Sequence, residues 1–104
     1  MTMTIPALPT QLFIDGAFVT GEGEAERVLN PATGALLAMV PEASPDQLHK
    51  AVSAAHRAFE SWSETTPMER ARALLKLADA IEARGELFAR LESLNCGKPY
   101  ARAL

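Results

Sequence analysis

The sequence is short of the residues on which most chemistry is built. Its 104 residues hold one cysteine, two histidines, one tryptophan and one tyrosine. A single thiol cannot close an internal disulfide, so no cysteine framework holds this fold together. Charge of one sign is also lacking: 10 lysines and arginines are interleaved with 13 aspartates and glutamates, for a net charge of −3. Without a basic stripe, neither nucleic acid nor an anionic membrane surface is an expected partner. Long apolar runs are missing too. The longest, Ala35 to Val40, stops at Pro41 and is far too short to cross a bilayer. The start, MTMTIPALPTQ, has neither the basic head nor the unbroken apolar stretch of a secretory signal. These absences point to a cytoplasmic protein with no membrane segment. At this length it holds at most one small domain.

What is present begins at Leu12. Residues 1–11 carry Pro6 and Pro9 and no periodicity, which predicts a flexible arm. In LFIDGAFVTG, Asp15-Gly16 sits between apolar flanks and predicts a hairpin of Leu12–Ile14 with Ala17–Thr20. GEGEAE, residues 21–26, reads as a polar loop. A second hairpin is expected from 27–29 and 36–40 around Asn-Pro-Ala-Thr-Gly, where Pro31 presets φ and Gly34 takes the left-handed position. Two short hairpins are not stable alone and must lie on something else.

From Ser44 the period changes to that of a helix. Ser44-Pro45-Asp46-Gln47 and Thr66-Pro67-Met68-Glu69 are both capping boxes with proline at the first helical position. The first opens a stripe of Leu48, Ala51, Val52, Ala55, Ala58, Phe59 and Trp62. The second opens one of Ala71, Leu74, Leu75, Ala78 and Ile81, broadened by Leu77. Gly85 is expected to cap the second helix. A third helix over about 86–96 buries Leu87, Phe88, Leu91 and Leu94, and Gly97 and Pro99 stop it. Tyr100 to Leu104 reads as the first turn of a further helix. The fold class expected of the segment is α+β: two β-hairpins followed by three amphipathic helices. Its apolar stripes exceed what so short a chain can cover.

No reactive constellation assembles from these residues. Cys96 lies at the C-terminal end of its helix, where the dipole disfavours a thiolate, so it reads as structural. His49 and His56 stand two helical turns apart, about 10 Å, too far to share one zinc ion. Gly21-Glu22-Gly23 begins like a dinucleotide fingerprint. However, Glu26 takes the place of the third glycine, no helix follows, and three glutamates repel a pyrophosphate. Asp46 with Lys50 and Glu86 with Arg90 read as i,i+4 surface pairs. Arg70, Arg72, Arg84 and Arg90 fall on different faces.

The order and spacing of three stretches nevertheless carry a resemblance. LFIDGAFVTGEGE, VLNPATGALLAMVPEAS, and the run from AVSAAHRAFESW through RALLKLADAIEARGELFARLESLNCGKPY resemble the N-terminal region of the aldehyde dehydrogenase superfamily. The form ESLNCGKPY looks most like the branch acting on ω-amino aldehydes such as 4-aminobutyraldehyde, with betaine aldehyde dehydrogenases close by. The resemblance implies an α/β enzyme with residues 12–104 as the incomplete N-terminal part of its cofactor-binding domain. It implies an NAD- or NADP-dependent homo-oligomer that oxidises a small aldehyde to a carboxylate through a cysteine thiohemiacetal, hydride transfer and thioester hydrolysis. The family's nucleophile, general base, oxyanion asparagine and cofactor glycines all fall beyond Leu104, so no catalytic or cofactor residue is carried over and no cofactor is expected on this chain alone. One feature maps. The backbone carbonyls of the two residues before Asn-Pro, Val28 and Leu29, are implied to help hold a monovalent cation. The expectation is an inactive N-terminal fragment. The alternative is a non-catalytic binding or oligomerisation module derived from the same family.

Overall fold

The computed structural model describes residues 8–104, and the first part of the expected arm lies outside the described residues. Residues 8–11 lead into the first strand without regular structure. The elements run β1 (Leu12–Ile14), β2 (Ala17–Val19), β3 (Ala25–Leu29), β4 (Leu36–Pro41), α1 (Pro45–Ser63), α2 (Pro67–Glu82), α3 (Gly85–Cys96) and the single turn α4 (Tyr100–Ala103). The strands form two separate two-stranded sheets, β1-β2 and β3-β4. The chain divides into two compact units. One contains residues 8–28 and 38–64, the other residues 29–37 and 65–104.

In the first unit, β1 and β2 are antiparallel with Leu12 opposite Val19, Phe13 opposite Phe18 and Ile14 opposite Ala17. Asp15 (φ 53°) and Gly16 (φ 76°) both take the left-handed conformation that the two-residue turn demands. Strand alternation then sorts the side chains. Leu12, Ile14 and Val19 are half-buried, while Phe13 and Phe18 stack edge to face on the outer surface, ring centroids 5.1 Å apart. The hairpin lies against α1, with Ile14 to Gly16 and Ala51, Ala54, Ala55 and Ala58 lining a shared groove. Four alanines let backbone approach helix closely.

That choice splits the α1 stripe in two. Placed at about 100° per residue, Gln47, Ala51, Ala54 and Ala58 share one sector. Leu48, Val52, Phe59 and Trp62 fill the neighbouring one. Gln47 and Ala54 are the buried residues of α1. The bulky sector stays open: Leu48 is 59% exposed, Val52 62% and Phe59 63%. The capping box forms as expected, with Ser44 Oγ accepting from Gln47 N at 3.2 Å and Gln47 Oε1 accepting from Ser44 N at 3.0 Å.

The second unit contains the β3-β4 turn and the remaining helices. Asn30 N donates to Ala35 O and Gly34 N to Asn30 O, both at 2.8 Å. Gly34 is left-handed at φ 72°. Thr66 caps α2 by accepting from Glu69 N at 3.2 Å, and Arg70 braces that end by donating to Thr65 O. No residue of α2 is buried, its whole apolar stripe included. In α3, Ala89 is buried, and Leu87, Leu91 and Leu94 are half-buried on the opposite side. Gly97, left-handed at φ 77°, ends α3.

The structure differs from the sequence expectations at several points, beginning with β2, which ends at Val19 rather than Thr20. β3 starts at Ala25 rather than at residue 27, because ladder bonds come from backbone and tolerate the polar Glu26. β4 includes Pro41, which needs no ladder donor at the strand's end. The cap of α2 is Ala83 in a right-handed conformation, and Gly85 instead opens α3. Phe88 is 47% exposed while Ala89, outside the expected stripe, is the buried residue of that turn.

Candidate functional site

The two carbonyls implied as cation ligands belong to the end of β3. Val28 is half-buried, and Leu29, the last strand residue, is 44% exposed. The turn that follows is held tightly: Asn30 Oδ1 accepts from Ala32 N at 2.9 Å, and Thr33 Oγ1 accepts from Ala35 N at 3.2 Å. Successive carbonyls of a straight strand point to opposite edges. Leu29 is the last residue of β3, and beyond it Asn30 N donates to Ala35 O at 2.8 Å. Two neutral oxygens suit an alkali cation but hold it weakly without a carboxylate. Among the described residues no group of three or more histidine, cysteine, aspartate or glutamate side chains gathers around a metal position.

Cys96 is exposed at the last turn of α3, its thiol donating to Glu92 O at 3.0 Å. Lys98 Nζ goes to Glu92 Oε1 at 3.9 Å rather than to the sulfur. Among the described residues the contact made by the thiol is to that backbone carbonyl, and Lys98 is engaged with Glu92. His49 and His56 are both exposed on α1. Of the arginines, Arg70 is occupied at Thr65 and Arg90 pairs with Glu86 at 3.9 Å.

The Gly-Glu-Gly stretch has a structural purpose. A Cβ on Gly21 would stand 2.5 Å from Glu42 O and press on Pro41 O, and one on Gly23 would stand 2.9 Å from Glu42 O. The loop must run backbone against backbone there. Gly23 N donates to Glu42 O at 2.8 Å and Glu42 N to Glu24 O at 2.9 Å. Gln47, 5% exposed, locks the same loop: its Oε1 accepts from Glu22 N at 2.9 Å and its Nε2 donates to Thr20 O at 2.8 Å. Sequence reasoning finds the capping role of Gln47 and misses this second one. Gly21 and Gly23, just ahead of β3, are the signal that points to it. The same close approach crowds carboxylates. Hydrogen bonding to Glu26 and its negative charge raise the pKa of Glu42 above the ordinary 4.5. The Thr66 amide and hydroxyl lower that of Glu69.

What this geometry can do is position backbone; no nucleophile, base or phosphate loop is assembled among the described residues. The class it defines comes from comparison. The sequence profile of the aldehyde dehydrogenase family matches residues 18–104. The chain belongs to that family. It is 43% identical over 97 residues to an aldehyde dehydrogenase of Aspergillus niger, covering 91% of this chain and 20% of that protein. Among solved structures, PnpE in complex with nicotinamide adenine dinucleotide superposes with a TM-score of 0.86 at 43% identity, over 92% of this chain and 20% of that one. A betaine aldehyde dehydrogenase from Staphylococcus aureus, also bound to NAD+, gives 0.86 at 32% identity, over 93% and 20%. The chain thus spans about one fifth of the length of the relatives it matches. An enzyme called simply aldehyde dehydrogenase shares more of this segment than the betaine aldehyde enzyme does, so the match defines the family and not a substrate branch.

Proposed function

We propose that residues 12–104 are the N-terminal scaffold of an NAD- or NADP-dependent aldehyde dehydrogenase, contributing to its cofactor-binding domain but supplying none of its reacting groups. The observation that carries this reading is the open apolar sector of α1 and α2 in a chain whose fold recurs as one fifth of cofactor-bound relatives. Apolar faces of this extent mark surfaces that bury against further structure. In the whole enzyme a bound nicotinamide cofactor would supply the hydride acceptor for aldehyde oxidation. This chain's residues orient helices and hold the Val28-Leu29 strand end, whose carbonyls contribute to a monovalent cation site. The whole enzyme is read as a cytoplasmic homo-oligomer. The finer substrate reading, an ω-amino aldehyde such as 4-aminobutyraldehyde, rests on the sequence Asn95-Cys96-Gly97-Lys98-Pro99-Tyr100.

The test is an absorbance assay at 340 nm with the purified 104-residue chain, NAD or NADP, and either 4-aminobutyraldehyde or betaine aldehyde. The expected result is no reduced cofactor above the chain-free control. Turnover proportional to chain concentration contradicts the proposal, because it requires a nucleophile among residues that this reading makes structural.

A further inference from the structure

We draw no further inference here: the strongest candidate, the open apolar sector of α1 formed by Leu48, Val52 and Phe59, carries nothing beyond the scaffold role, because nothing in the structure shows what covers it.

Discussion

Gln47 shows how one side chain comes to matter more than its type suggests. Its amide is buried and satisfied on both ends, by Ser44 N and Glu22 N at the oxygen and by Thr20 O at the nitrogen. Truncating it strands two amides and a carbonyl, each loss worth on the order of 1 kcal/mol or more when the group stays dry. Gln47→Ala should therefore lower local stability of the 20–22 loop by about 2 kcal/mol. In amide hydrogen exchange that is an acceleration of about thirtyfold at Glu22, against little change at Arg90. Unchanged exchange at Glu22 would show that the loop is held by its glycines alone. The capping box is legible in the sequence because it is local. The bond to a residue 25 positions earlier is not, since nothing in Ser-Pro-Asp-Gln points to a distant partner.

Two carboxylates give a second residue-scale prediction, with opposite signs. Glu69 accepts hydrogen bonds that favour its charged form, so its folded pKa is lowered. Its contribution to stability is present above the unfolded value and lost as pH falls through the folded one. Glu42 faces Glu26 and its folded pKa is raised, so its contribution is present below the unfolded value and lost as pH rises through the folded one. Carboxyl carbon shifts followed by NMR should place the Glu42 midpoint above 4.5 and the Glu69 midpoint below it. Glu26→Gln should bring Glu42 back toward the ordinary value. The reverse order of midpoints would contradict the contacts described at both sites.

At the scale of the elements, α2 and α3 behave oppositely. Helix α2 forms because Thr66-Pro67-Met68-Glu69 caps it and leucine and alanine favour it, yet none of its side chains is buried. Replacing Leu74 and Leu75, 64% and 65% exposed, by glutamine should cost the chain little, within about 0.5 kcal/mol for each. Ala89 is 1% exposed, and Ala89→Leu forces extra side-chain carbons into a filled space, costing about 1–3 kcal/mol. Circular dichroism at 222 nm during urea titration separates them: the α2 double variant should overlay the parent and Ala89→Leu should melt earlier. An equally large loss from the α2 variant would mean that its stripe is already buried. Helix existence is legible here because the period agrees with the Thr66 capping box in α2 and with Gly97 ending α3. Which part of a stripe is covered is not, since periodicity records that a face is apolar and not what lies against it. On α1 only residue size decides: alanines take the hairpin and the bulky residues stay open.

For the molecule as a whole, the apolar faces left open and the family match lead to the same reading. The strands, turns and caps specify a segment of an aldehyde dehydrogenase. No motif reading of Cys96, the histidines or Gly-Glu-Gly leads to that function. Only the order of several weak stretches does, because each stretch specifies a structural junction and not a reaction. The most direct test exchanges the segment. Residues 12–104 are grafted in place of the corresponding part of the 43%-identical Aspergillus niger enzyme, and aldehyde-dependent reduction of NAD is measured. The account predicts a soluble chimera with kcat/KM within about tenfold of the parent, a loss of at most ~1.4 kcal/mol in transition-state stabilisation. A chimera that folds and binds NAD but has lost aldehyde oxidation by several orders of magnitude would contradict it.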